Sequence, residues 1–186
     1  MTTLTEFVEA HLAVTKITKA HSCETAGGPS DLSPMMIWLD ADDKTNLALV
    51  DMKGNLLDYM PKVLSLVAKQ NPKYIIYVVE GFSKSVSNEA ELDEFTKTHK
   101  PGDLAKLHKE LGPLAGLEEI IALHALDTES GEQVQGIARY TYNDKGQPVF
   151  ANSYVQELPS DLFDRANMSI IFDSFHKFMV SHRGMN

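Results

Sequence analysis

The sequence predicts an α+β domain. It has a single mostly antiparallel sheet of about six strands, flanked by N- and C-terminal helices, with a helical insertion. Three observations predict it. Tyr74–Glu80 reads Tyr-Ile-Ile-Tyr-Val-Val-Glu, apolar at both alternating positions, the pattern of a central strand covered on both faces. Three β-rich runs, 119–126, 133–142 and 149–156, follow one another across short turn clusters, as in a meander. Apolar residues recur at helical spacing at both ends of the chain.

Taken in order, residues 3–20 place Leu4, Phe7, Val8, His11, Leu12 and Thr15 on one helical stripe, with Glu6, Glu9, Lys16 and Lys19 mostly outside it. Thr3 or Thr5 caps the start, and Glu6 stands at a capping-box position relative to Thr3. Ala20–Pro34, with Gly27-Gly28-Pro29 and Ser33-Pro34, reads as a mobile connection. Met35–Ala41 and Leu47–Met52 form a hairpin around Asp42–Asn46, with Trp38 in the core. A helix from Leu57 to about Gln70 carries Leu57, Met60, Leu64 and Val67 on one stripe. Pro61 fits there only near the start, because deeper it removes a hydrogen bond. Strand, helix and strand in succession make a crossover, so 74–80 is expected to run parallel to 47–52.

Residues 83–116 are a charged helical insertion: Ser87 or Asn88 caps a short helix to Thr98, and Pro101-Gly102-Asp103 opens another ending at Gly112-Pro113. The meander turns at Thr128–Gly131 and Asn143–Gly146. Val134, Ala138, Tyr140 and Tyr142 share one face of its middle strand. Ser160 is the expected N-cap of a last helix that runs to His182 and stops at Gly184. Its apolar face is Met168, Ile171, Phe172, Phe175, Phe178 and Met179.

At 186 residues the chain is expected to form one domain, 1–186, with 83–116 inserted within it. A domain of this size buries roughly 70% of the surface its unfolded chain exposes, so its core needs neither metal nor disulfide. A net charge of −9 opposes binding to nucleic acid or an anionic membrane. A lone cysteine, Cys23, excludes an internal disulfide. The N-terminus lacks the pattern of a signal peptide, and no apolar run approaches the ~18 residues of a membrane helix, so a cytoplasmic location is expected.

The element order resembles profilin-like and roadblock-like domains, which also flank a mixed sheet with helices and host unrelated functions. Ser33-Pro34-Met35 before the first strand, Glu80-Gly81-Phe82 ending the central one, Glu119 leading the next and Tyr140 with Asp144-Lys145-Gly146 carry a second likeness. Over residues 34–152 they resemble a loose class of uncharacterised bacterial and phage proteins. That resemblance implies no activity.

Glu80 with Glu118 or Glu119 is the sharpest chemical constellation. If strands 74–80 and 119–126 are antiparallel neighbours, their carboxylates meet at the mouth of the insertion, with Lys84 nearby. Close carboxylates can work as acid and base or hold a divalent ion, whereas solvated strand ends beside a lysine do neither. Asp40–Asp43 reads as a hairpin turn at the opposite edge. His124, on the face of Ile120, Ala122 and Leu126, reads as a neutral core histidine. His176 and His182 lack the i, i+4 spacing of a helical metal pair. Cys23 beside His21 has Glu24 as the wrong neighbour for a thiolate. Gly27–Ser30 lacks the ending of a phosphate loop, and Ser83-Lys84-Ser85 is a bare strand-end loop.

No cofactor or metal is expected. The reading these residues favour is a cytosolic protein acting by association, as a homodimer or partner-binding module, through its wide-faced terminal helices. The alternative is a small-molecule or divalent-metal-dependent enzyme. Its pocket would lie beneath the 83–116 insertion, with Glu80, Lys84 and Glu119 as polar groups.

Overall fold

A computed structural model describes residues 2–50, 56–83, 90, 94, 97–98, 106–107, 110, 117–158 and 167–183. The elements run α1 (Leu4–Ala26), β1 (Met35–Leu39), β2 (Thr45–Leu49), α2 (Leu56–Ala68), β3 (Tyr74–Ser83), β4 (Glu118–Asp127), β5 (Gln133–Tyr142), β6 (Pro148–Glu157) and α3 (Asn167–Arg183). The six strands make one sheet in the order β2-β1-β3-β4-β5-β6, every neighbouring pair antiparallel. β3 does run parallel to β2, but the two never pair, because β1 lies between them. The described residues of the insertion, Ala90, Glu94, Lys97, Thr98, Lys106, Leu107 and Glu110, are helical.

Strand alternation divides the core in two. Tyr74, Ile76 and Val78 of β3, Ile121, Leu123 and Ala125 of β4, and Val134, Ala138 and Tyr140 of β5 face α1. Ile75 and Tyr77 of β3 and Leu126 of β4 face α2 and α3, where Met60, Leu64, Phe172 and Phe175 cover them. Each such side chain withdrawn from water contributes about 1.5–3 kcal/mol before the entropy of ordering is subtracted. Gly136 lets α1 settle closely on the sheet: a Cβ there would stand 2.9 Å from Val8 Cγ1.

α1 begins as expected, with Glu6 N–H donating to Thr3 Oγ1 (3.2 Å) and Thr3 N–H donating to Glu6 Oε2 (2.8 Å). It runs to Ala26, past the expected stop near residue 20, because the left-handed Gly27 (φ 70°) is the first residue that ends it. Segment 28–34, expected to be a mobile connection, is tied down at Ser30 and Leu32. Pro61 is the sixth residue of α2, deeper than sequence reasoning allowed. There its missing N–H removes one helical hydrogen bond while its neighbours Met60 and Leu64 stay fully buried. The expected N-cap of α3, Ser160, lies outside the described residues, as do Ser87, Asn88 and Pro101-Gly102-Asp103.

Candidate functional site

Two features stand out from the frame: a buried polar cluster at the end of β3, and an apolar trough beside α1. The cluster follows from alternation. After Tyr74, Ile76 and Val78, Glu80 is the next residue on the α1 face, where the apolar run stops. Across from it, the buried stripe of α1 continues from Val8 and Leu12 through Thr15, Lys19 and Cys23. The Lys19 ammonium is fully buried and ion-paired with Glu80 Oε1, to which Tyr140 also donates its O–H. Leu32 N–H donates to Glu80 Oε2 at 2.6 Å, and Lys19 Nζ donates to Ser30 O at 2.6 Å. The ammonium lies 5.1 Å from the Tyr140 ring centroid and 5.4 Å from that of Tyr142.

Burial is the largest influence on Lys19 and would lower its pKa. The hydrogen bond that Lys19 donates to Glu80, then that to Tyr142 and the charges of both, outweigh it, so the net shift is upward. Burial raises the Tyr142 pKa, against the pull of Lys19 and with help from Glu119 and Glu80. Lys19 is therefore held as a cation and Tyr142 as a neutral phenol. Glu80 accepts from three donors on α1, β5 and segment 28–34. Structurally this is a clamp that ties three chain segments together.

Of the expected acidic rim, Glu119 lies on the same face as Glu80, opposite Phe82 and Tyr140 and diagonal to Glu80. Glu118 is on the other face, where Arg139 Nη1 approaches its Oε2 at 3.2 Å. Lys84 and Ser85 lie outside the described residues. The cation beside Glu80 is Lys19, which sequence reasoning placed outside the buried stripe. The signal was present: Leu12, Thr15, Lys19 and Cys23 advance by three, four and four.

Asp40 closes its turn by accepting from Asp42 N–H (3.0 Å), Lys44 N–H (2.9 Å) and Asn46 Nδ2 (3.0 Å). The bond from Lys44, then that from Asn46, keeps its pKa low. The turn sits at the end of the sheet where β3 begins, away from Glu80. His124 shares a face with Tyr77 and Gln135. Its buried Nδ1 has no hydrogen-bond partner among the described residues, and burial pushes its pKa down to about 4. His176 Nδ1 lies 3.2 Å from Thr128 O, and His182 Nδ1 lies 3.0 Å from Phe178 O, so each is held locally. Cys23 is fully buried, its thiol 3.8 Å from Ser30 O, while His21 points into solvent. Among the described residues no three metal-ligating side chains come together, and no helix is long and apolar enough to cross a membrane.

The trough arises because α1 lies over β4, β5 and β6, so that on the same face β1 is buried but β2 beyond it stays exposed. It is a groove of about 370 Å³ with Met35 and Ile37 among its lining residues, bounded by His11, Val14 and Thr18 of α1 and by Leu47 and Leu49 of β2. Val14 (58% exposed), Leu47 (57%) and Leu49 (68%) make this flank apolar at the surface. The second half of α1 is thus inverted: it buries Thr15 and Lys19 and shows Val14 and Ile17 to solvent.

β2 is also an edge of the sheet. The bonds Asp40 N–H to Lys44 O (3.0 Å) and Val50 N–H to Pro34 O (2.8 Å) fix the phase of its ladder. By antiparallel alternation, Thr45, Leu47 and Leu49 then direct their backbone N–H and C=O away from β1. No protein-family model, curated protein or solved structure matches the chain.

Proposed function

We propose that the protein works by pairing with a second copy of itself through the β2 edge. The observation that carries this reading is an open, uncharged edge strand, Thr45-Asn46-Leu47-Ala48-Leu49, whose outward backbone groups stand beside three exposed apolar side chains, Val14, Leu47 and Leu49. Edges that must stay unpaired are usually blunted by proline, charge or a bulge. The opposite edge, β6, carries Pro148, Glu157 and a register shift near Ala138/Tyr140. β2 has none of these among its five residues, and its register against β1 is regular.

A second copy fits the edge by symmetry. Antiparallel pairing about a two-fold axis at Leu47 sets Leu47 against its own copy and Leu49 against Thr45 of the copy. Both strands then keep their apolar residues on the α1 face, so Val14 of each copy flanks the joined trough. The five-residue strand is short, and the helix residues supply the rest of the apolar contact. The reading places the protein in the cytoplasm, where a lone thiol such as Cys23 stays reduced.

Light scattering on the eluting protein tests this. The expected native mass is twice the 20.7 kDa of the chain, falling to the single-chain mass when Leu47 and Leu49 are both changed to Lys. A wild-type mass of 20.7 kDa at every concentration measured overturns the reading.

A further inference from the structure

We infer that the groove between α2 and α3 is a binding site for a single-chain carboxylate, a free fatty acid of medium length. Its apolar part, about 410 Å³, lies between Pro61, Leu64 and Ser65 of α2 and Ile171, Phe175 and Phe178 of α3. It continues past the shared residues Ser65 and Phe178 into a space of about 570 Å³ that ends at Lys69, His182 and Arg183. The two parts therefore lie end to end along the same pair of helices, apolar at one end and cationic at the other. From Ile171 to Arg183 the helix rises about 18 Å at ~1.5 Å per residue, the reach of an extended chain of roughly a dozen carbons.

Among the described residues the charge at the polar end is a surplus. α2 and α3 both point their C-termini there, and two helix ends together amount to about one negative charge. Lys69 and Arg183 carry two positive ones. Among the described residues Arg183 donates only to neutral acceptors: Asn71 Oδ1 (3.0 Å), Pro72 O (3.0 Å), Thr128 Oγ1 (3.0 Å) and Thr128 O (3.4 Å). In a chain with 26 acidic and 17 basic residues, no acidic residue among those described lines either part of the groove. An anion with an apolar tail is the ligand that answers both ends at once. The tail replaces water along Leu64, Ile171 and Phe178, and the head approaches Lys69 and Arg183.

Calorimetric titration of the full chain with laurate, dodecylammonium and dodecanol, each below its micelle concentration, tests the assignment. Laurate is expected to bind one per chain, and dodecylammonium at least about tenfold more weakly, with dodecanol between them. Lys69→Glu, at an exposed position, is expected to weaken laurate by about tenfold and to narrow its lead over dodecylammonium. Ser65→Trp, which fills the junction of the two parts, is expected to abolish binding, and Ser174→Trp to weaken it. Circular dichroism confirms that each variant is folded. Equal binding of laurate and dodecylammonium, or laurate binding unchanged in folded Ser65→Trp, overturns the inference. So does binding to phosphatidylcholine vesicles with none to free laurate.

Discussion

Lys19 and Glu80 stand 61 positions apart in the chain and form an ion pair with a fully buried ammonium and a carboxylate one-tenth exposed. Removing one partner of such a pair strands the other charge, at a cost of about 3–5 kcal/mol. Glu80→Gln and Lys19→Met are each expected to lower the urea unfolding free energy by about that much. The double variant Lys19→Met/Glu80→Leu should lose clearly less than the sum. Tyr140→Phe, which removes one hydrogen bond to a charged acceptor, should cost about 1.5–3 kcal/mol. Strictly additive single and double variants would mean that the two residues do not act as a pair.

The same cluster sets an alkaline limit. Lys19 has its pKa raised in the folded protein, so its stabilisation is fully present below the ordinary lysine value of 10.5 and is lost as pH rises through the folded value. Tyr142, also raised, and Tyr77, pushed up to about 12 by burial, act in the same direction, because folding holds their protons. Wild-type stability is therefore expected to fall above pH 10, and Lys19→Met to fall less steeply there. Parallel curves for the two proteins, measured by urea unfolding across that range, would remove Lys19 from the account.

Proline scanning separates the β2 edge from the β2–β1 ladder. Leu47 directs its N–H outward, whereas Ala48 lies opposite Met36 in a pair that exchanges hydrogen bonds. Leu47→Pro is expected to leave the chain folded and monomeric, since proline is tolerated where an edge N–H faces solvent. Ala48→Pro removes a ladder bond and strands its acceptor, and should destabilise the hairpin by about 1–3 kcal/mol. Leu47→Thr keeps the backbone donor and removes the apolar side chain, so comparison with Leu47→Pro divides the two contributions. Equal masses for wild type and Leu47→Pro would show that the edge is not the contact.

The sheet was legible because the unbroken apolar run of Tyr74–Val79 marks a strand covered on both faces, while the alternation in Gln133–Tyr142 fixes both the strand and its buried face. Sequence pattern was less reliable on α1. A lysine at position 19 reads as surface by type, and only its partner, 61 residues away, makes burial tolerable. Which residues surround Glu80 depended on where α1 and segment 28–34 cross β3, a tertiary fact that no local pattern encodes. The association surface shifted for the same reason. The apolar face of α3 was a candidate, but Phe172 and Phe175 are core, leaving Phe178 and Val180 outside. On α1 the apolar Val14 and Ile17 are exposed while Thr15 and Lys19 are buried, so residue type did not reveal which side was buried.

His124 should give the protein an acid limit as well. Its pKa falls from 6.5 to about 4 because burial disfavours the charged ring. A histidine lowered in this way stabilises fully above its unfolded value and loses that contribution as pH falls through the folded one. Between pH 6.5 and 4 the loss is on the order of 2–3 kcal/mol. His124→Leu is expected to flatten that limb, while other titrating groups keep theirs. An unchanged acid limb in the variant would assign it elsewhere.

Cys23 turns the clamp into something a chemical label can read. Its thiol is fully buried four residues beyond Lys19, against the same Ser30 carbonyl that Lys19 holds. Reagent reaches it only when the end of α1 parts from segment 28–34, so the labelling rate reports that local opening. Wild-type protein is expected to react with a thiol-specific reagent orders of magnitude more slowly than urea-unfolded protein. Glu80→Gln releases Leu32 and leaves Lys19 without its counter-charge, and should speed native-state labelling about a hundredfold or more. Tyr140→Phe leaves both of those contacts in place and should speed it less. If Glu80→Gln labels at the wild-type rate under native conditions, segment 28–34 is held by something other than this carboxylate.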